Sequence, residues 1–250
     1  DDSGSGDYCS IQEAINNANE SDIIHIYSGT YNENILINKT VEIQGDDRET
    51  TRIQGMQSAS EHTIQITADD VTIKDICISN ELRQTQDFPC IFVDEVSGFL
   101  LDTCTISNGE RGIFLQYALQ AEITNCIINY NDQKGIKLYF SDNCLIHDNQ
   151  IQSNGDGMRF HGSDDNHIYS NFISNNGYGI LVSGSTGNYF YENEFSSNSA
   201  DNAEDSTMEG SNSWYYNQKG NYWDDYQDYD SNDDGIGDNA YSISGGTHVD

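Results

Sequence analysis

Basic residues are scarce in this sequence. Ten Lys and Arg stand against 42 Asp and Glu, a formal charge of −32 over 250 residues. Such a field repels phosphate backbones and anionic lipid, so nucleic acid and membrane surfaces are excluded as partners. No apolar run is long enough to span a bilayer, which excludes membrane insertion through a helix. The six cysteines (9, 77, 90, 104, 126 and 144) show neither CxxC nor Cys/His spacing, which excludes a zinc-finger type of site. Their even number leaves disulfides open. Proline occurs once, at Pro89, so bends must be made by other residues; Gly and Asn recur, and internal repeats are therefore the first pattern to seek.

The repeats are there. "RGIFLQ", "KGIKLY", "DGMRFH" and "YGILVS" begin at 111, 134, 156 and 178, a period of 22 to 23 residues. A second apolar position recurs at Leu101, Ile123, Ile146, Ile168 and Phe190, and a third five residues later at Ile106, Ile128, Ile151, Ile173 and Phe195. Side chains alternate along each short segment, so Ile136 and Leu138 point inward while Lys137 and Tyr139 point outward. Helical spacing is absent. Three strands per period, each rung burying its apolar residues only against the next, predict a right-handed parallel β-helix in the all-β class. Asn149, Asn171 and Asn193 share one bend, and Asn131, Asn154, Asn176 and Asn198 another. Asn tolerates a left-handed bend, and stacked amides can hydrogen-bond from rung to rung. Cys104 and Cys126 fall in the first Asn column on adjacent rungs, where a disulfide and a pair of stacked buried thiols are both open.

Upstream the period loosens, with Ile64, Ile66 and Ile73 extending the columns and "ELRQTQDFP" inserting a loop. Ser10-x-x-Glu13 forms a capping box, and Ile11, Ala14, Ile15 and Ala18 follow helical spacing, so a helix near 10–19 is expected to cover the first rung. Without that lid the solenoid would end in an unpaired strand edge. The expected division is a β-helix over 1–200 and a C-terminal cap over 201–250, with Trp214 and Trp223 packed over the final rung.

The cap contains "DYDSNDDGIGD", residues 228 to 238. Oxygen side chains alternate before a glycine, as in the front half of a calcium loop. Asp228, Asp230, Asn232, Asp234 and Asp238, with the carbonyl of Ile236, are the expected ligands of a structural calcium ion. Tyr241 stands where an EF-hand would place its bidentate Glu, so a helix-loop-helix is not expected. Residues 221–250 carry eight Asp and no Lys or Arg, and a solvated acidic terminus is the competing account. The opening "DDSGSGDY" reads as the start of an exported, processed chain, and Asn19-Glu-Ser and Asn38-Lys-Thr are glycosylation sequons; an extracellular or cell-surface location is expected.

"SIQEAINNANESDIIHIYSGTYNENILINKTVEIQG", the Gly-Ile/Asn rungs and "GNYWDDYQDYDSNDDGIGDNAYSI" together resemble the NosD-like β-helix proteins of the pectin-lyase-like superfamily, in their archaeal cell-surface form. That resemblance spans nearly the whole chain. It implies surface architecture, carbohydrate binding or cleavage, or copper delivery; three Met and six scattered His give the last little support. Carbohydrate-active relatives use the outward face of the first strand of each rung. Here that face carries Phe92, Phe114, Lys137, Arg159 and Leu181 beside Asp94, Gln116, Tyr139, His161 and Ser183. Lys137, Arg159 and His161, with Asp164 and Asp165, are the catalytic candidates for a polysaccharide lyase or glycoside hydrolase. No catalytic motif of the family stands intact there. The leading expectation is therefore a non-catalytic, self-assembling protein of a surface layer, sheath or fibre, with glycan binding as an added role.

Overall fold

The computed structural model describes residues 6–56, 62–80, 88–208, 211–231, 238–246 and 249–250. The periodic segments form three parallel sheets that wind together as a solenoid of about eight turns. Sheet A has eight strands, from Ile23–Ile26 to Tyr189–Tyr191; sheet B has nine, from Gly29–Asn32 to Tyr222–Trp223; sheet C has eight, from Ile35–Ile37 to Asp201–Asp205. The chain runs C to A to B in every turn. The expected apolar columns are in register: Leu101, Ile123, Ile146, Ile168 and Phe190 stack in sheet A, and Ile106, Ile128, Ile151, Ile173 and Phe195 in sheet B. All ten are fully buried. No turn encloses a core alone, so burial depends on stacking.

Buried asparagines hold the corners. Between sheets A and B, Asn149 donates its backbone N–H (3.1 Å) and its Nδ2 (3.0 Å) to Oδ1 of Asn171, and its Nδ2 also reaches the carbonyl of Ile123 one turn back (2.8 Å). Asn171 repeats the pattern onto Asn193, and Asn193 onto Asn221. Asn131, Asn154, Asn176 and Asn198 form a second ladder between sheets B and C. Between sheets C and A lies a third ladder, unforeseen in the sequence: Asn166, Asn188 and Asn212, headed by the Cys144 N–H. Each buried amide thereby has partners for its donors and its acceptor, which removes the cost of burying it.

The left-handed residue at the A–B corner is not the ladder Asn but the residue before it: Thr103, Asn125, Asp148, Ser170 and Glu192, with φ of 53° to 55°. Many residue types fill that position, whereas the ladder position requires an inward amide. The same ladders explain the repeated Gly. A Cβ on Gly135 would lie 2.7 Å from the Gly157 carbonyl and 3.0 Å from Asn154 Nδ2, and Gly112 and Gly157 are hemmed in alike.

Every ladder ends on aspartate. Asn221 donates both its N–H groups to Asp250 Oδ2 (2.8 and 3.1 Å), Asn212 Nδ2 reaches Asp205 Oδ2 (3.0 Å), and Asn198 passes through Asn202 to Asp224 and Asp225. The amides all donate toward the C-terminal end, so a carboxylate there accepts charge-assisted bonds. Asp205 and Asp250 also accept from the indole N–H of Trp214 and Trp223. Those indoles stack on Phe190 (4.3 Å) and Phe195 (4.4 Å), closing the final rung as expected, and Tyr241 stacks outside Trp223 (4.1 Å).

The N-terminal lid is the helix α1, Ile11–Asn17, which buries Ile11 and Ile15. Half of the capping box forms: Ser10 Oγ accepts from the Glu13 N–H (3.3 Å). The other half is replaced, because Glu33 takes the free N–H groups of Ile11 and Gln12 (both 3.0 Å) and the Ser10 hydroxyl. Lys39 caps the far end on the carbonyls of Ile15, Asn16 and Ala18. A carboxylate at the N-terminus and an ammonium at the C-terminus both suit the helix dipole. Cys104 and Cys126 stack as free, buried thiols, and burial with the neighbouring Cys126 pushes the Cys104 thiol well above its ordinary range.

Asn171→Ala removes the acceptor of the Asn149 backbone N–H and of one Nδ2 hydrogen, and the Nδ2 donor that reaches the carbonyls of Ile146 and Tyr169. Chemical denaturation should show a loss of about 2–5 kcal/mol, against less than about 0.5 kcal/mol for exposed Gln150→Ala. Equal stability of the two variants would refute the ladder.

Candidate functional site

The outward face of sheet C gathers four of the chain's ten Lys and Arg residues: Arg111, Lys134, Lys137 and Arg159. Parallel register puts them there. One column runs Pro89, Arg111, Lys134 and Asp156; the next runs Phe92, Phe114, Lys137, Arg159 and Leu181; the third runs Asp94, Gln116, Tyr139, His161 and Ser183. The columns in which Lys137, Arg159 and His161 were expected are therefore present, adjacent and outward.

Cations and rings interleave along this strip. Lys137 Nζ lies 4.5 Å from the centre of the Phe114 ring and 5.3 Å from that of Tyr139, and the Arg111 guanidinium lies 5.2 Å from Phe114. Phe92 packs on Phe114 (5.3 Å) and on His62 (4.5 Å). His161 stacks on Tyr139 (5.4 Å) and meets Ser183 Oγ through Nδ1 (3.3 Å). Tyr117 and Phe140, both over 40 % exposed, stack beside them at 5.6 Å. Such contacts are worth about 0.5–1 kcal/mol each at exposed sites and fix the long side chains in place.

The carboxylates proposed to act with these cations are engaged elsewhere. Asp164 Oδ1 accepts from the N–H (2.6 Å) and hydroxyl (3.2 Å) of Thr186, and the Asp164 N–H donates to Asp142, making an acidic ladder at the corner after sheet C. Asp165 is the left-handed residue of that corner and packs against Gly187. Asp156 lies 3.9 Å from Arg159. The strip thus joins cations, rings and the acids Asp94 and Asp156, while Asp164 and Asp165 serve the corner. Arg111 and Lys134 went unremarked in the sequence, although each opens a repeat; His62 lies upstream of the clean period and carries no such signal.

Of the expected calcium ligands, Asn232, Asp234 and Ile236 lie outside the described residues. Asp228 accepts from Asn239 Nδ2 (2.7 Å) and Asp238 from the Ser231 N–H (3.1 Å) and hydroxyl, so these two carboxylates fold the segment back on itself. Asp228 and Asp230 line a cavity at the C-terminal end with Trp223, Tyr241 and Asp250. No helix among the described residues is long and apolar enough to cross a membrane.

The model of a family described as periplasmic copper-binding protein (NosD) matches residues 15–228. No curated protein matches significantly. Among solved structures, a protein of Geobacillus virus E2 is 14% identical, with a TM-score of 0.63 over 82% of this chain and 52% of its own. The catalytic domain of an α-1,3-glucanase is 16% identical (TM-score 0.60, 85% and 42% covered), and an alginate lyase from a Paenibacillus species is 14% identical (0.53, 85% and 94%). This chain spans about half the length of the viral protein. At these identities the likeness is one of fold.

The family description implies copper, and the donors here do not fit it. Among the described residues no group of three His, Cys, Asp or Glu side chains is placed to hold a metal ion. His161 lies on sheet C and His167 on sheet A, each stacked on a tyrosine, and Met158 is buried in the core.

Burial depresses His62 to a pKa of about 4, with the Arg111 charge adding to it and Asp94 opposing. A folded pKa below the unfolded value of about 6.5 means that the unfolded chain binds the proton first, so stability falls as pH drops from about 6.5 toward 4. NMR titration should place His62 near the lower value, and His62→Phe should flatten the stability profile over that window. An ordinary titration near 6.5 would contradict the packing of the strip.

Proposed function

The chain belongs to the NosD family, and we propose that it is an exported, non-catalytic architectural β-helix, a subunit of a surface layer, sheath or fibre, engaging its partners through the sheet C strip. One observation carries this reading. Lys137 and Arg111 lie over aromatic rings, Asp156 is paired with Arg159, Asp94 accepts from Gln116, and the candidate acids Asp164 and Asp165 serve the corner. A lyase or hydrolase needs an acid or base within reach of the bond to be broken. Export is supported by the family description and by the sequons at Asn19 and Asn38. The acidic surface suits a subunit that must stay soluble until it is incorporated.

A carbohydrate-active enzyme acting on an acidic polysaccharide is the second reading, favoured by the same strip: rings stack on sugars, and Lys137, Arg159 and His161 attract carboxylates. The two readings separate in one assay. The chain is incubated with polygalacturonate and alginate, and reducing ends and unsaturated products are followed. No turnover is expected; cleavage lost in both Arg159→Ala and His161→Ala would establish the enzyme.

Calcium is the proposed structural ion of the 228–238 segment, through Asp228, Asp230, Asn232, Asp234, Asp238 and the Ile236 carbonyl. An ion that binds only the folded chain adds about 2.7 kcal/mol at 100 times its Kd. Thermal unfolding in calcium should therefore exceed that in chelator for the wild type and not for Asp234→Ala. Identical melting of the wild type in both conditions would leave this segment as acidic surface alone.

A further inference from the structure

The C-terminal cap borders a cavity of about 880 Å³. Two acceptors on its wall take no part in the bonds that hold the cap. Asp250 Oδ2 accepts from the Asn221 N–H and Nδ2 and from the Trp223 indole, but Asp250 Oδ1 is buried with no hydrogen-bond partner among the described residues. That oxygen lies beside Gly220, where a Cβ would stand 2.6 Å from it. A buried carboxylate oxygen without a donor is costly, so its donor must come from a water or a bound group. Glu194 opens the strand Glu194–Ser196 on the same wall; its carboxylate is exposed and makes no hydrogen bond or ion pair with the described residues.

Aromatic rings make up much of the remaining wall. Tyr215 and Tyr222 are 56 % and 62 % exposed, Tyr226 joins them, and Tyr241 stacks on Trp223 at 4.1 Å. Asp224, Asp228 and Asp230 add negative charge, and the one basic residue among the described lining residues, Lys219, is paired with Glu192 (2.6 Å). Such a wall repels anions. It is not arranged for an inorganic cation either, because no group of three His, Cys, Asp or Glu side chains among the described residues is placed to hold a metal ion. Rings and separated carboxylates together suit a cation whose charges are spaced along an apolar chain, since ring faces attract ammonium groups and cover methylenes.

We propose that this cavity binds an alkylammonium ligand with two or more charges, one ammonium supplying the donor that Asp250 Oδ1 lacks, another pairing with Glu194, and the methylenes between them lying against Tyr222 and Tyr226. A free polyamine and the lysine side chains of a polypeptide share this chemistry. The site does not depend on the calcium proposed for 228–238: with Asp228 and Asp230 on that ion, Glu194, Asp250 and the rings remain. Nor does it depend on the architectural reading, which concerns the sheet C strip.

Calorimetric titration with spermidine tests it, in calcium and at about 0.15 M salt, where a screening length of about 8 Å weakens diffuse attraction to the acidic surface. NMR of the indole N–H groups reports the place of binding, because Trp223 donates to Asp250 and Trp214 to Asp205. One spermidine should bind per chain and shift Trp223 more than Trp214. Glu194→Gln and Tyr222→Ala, both at exposed positions and verified as folded by melting curves, should each bind about fivefold more weakly, and Glu49→Gln, an exposed acid elsewhere, should bind as the wild type does. A peptide of three lysines that binds more tightly than spermidine, with the same Trp223 shift, assigns the ammonium groups to a polypeptide; weaker binding assigns them to a free polyamine. Failure of both probes to bind would overturn the proposal and leave Asp250 Oδ1 to water. Several equivalent sites, weakened alike by Glu49→Gln and Glu194→Gln, would reduce it to the acidic surface. Displacement of spermidine by magnesium at equal concentration, or a Trp223 shift with uncharged cellobiose in place of spermidine, would overturn it in favour of an inorganic ion or a sugar.

Discussion

A buried amide must find partners, and along each ladder of this solenoid one partner is the equivalent Asn one turn on, until an aspartate ends the series. That constraint organises the molecule. Asn171 can satisfy Asn149 only if the two turns have equal length and register, so the ladder converts a local hydrogen-bond requirement into long-range periodicity. Three ladders at three corners leave each turn little freedom to slide, and the apolar columns stack as a consequence. Gly112, Gly135, Gly157 and Gly179 in the sheet C strands belong to the same arrangement, because the Nδ2 of the ladder Asn occupies the space where their side chains would be.

A ladder that propagates must also end. Its C-terminal end offers two N–H donors per chain of amides, and an ordinary side chain there would strand them. Asp205, Asp224, Asp225 and Asp250 accept them, two of them holding a tryptophan as well, so the cap is attached by the same bonds that join the turns. Part of the large acidic charge thus has a structural use. Burial raises the Asp250 carboxyl against the bonds from Asn221 and Trp223 that lower it, which marks the cost of placing a charge at that end.

Much of the fold was legible because stacking forces repetition. The 22- to 23-residue period, the columns through Ile146 and Ile151, two of the Asn ladders and the tryptophans over the final rung all follow from residues that recur or are bulky and apolar. The third ladder escaped because its head is Cys144 and its members are interspersed with Ser141, Ser163 and Ser185, which form their own hydrogen-bonded column. Glu33 at the start of α1 escaped for another reason: its role depends on tertiary approach, and the local Ser10/Glu13 pattern offered a sufficient alternative. In the strip, register placed Lys137, Arg159 and His161 correctly. Sequence proximity misplaced Asp164 and Asp165, since a chain leaving a strand turns its next residues into the corner.

The account makes the molecule a rigid rod whose corners are as firmly held as its strands, and whose function lies on its surfaces. Native-state hydrogen exchange measures this directly. The backbone N–H groups of Asn149, Asn154, Asn166, Asn171 and Asn176 lie in turns, where exchange is ordinarily fast. They should exchange as slowly as those of Ile146, Ile151 and Ile168 in the strands, opening only with the whole solenoid. Exchange of these corner amides on the timescale of exposed loops, with the strands still protected, would contradict it.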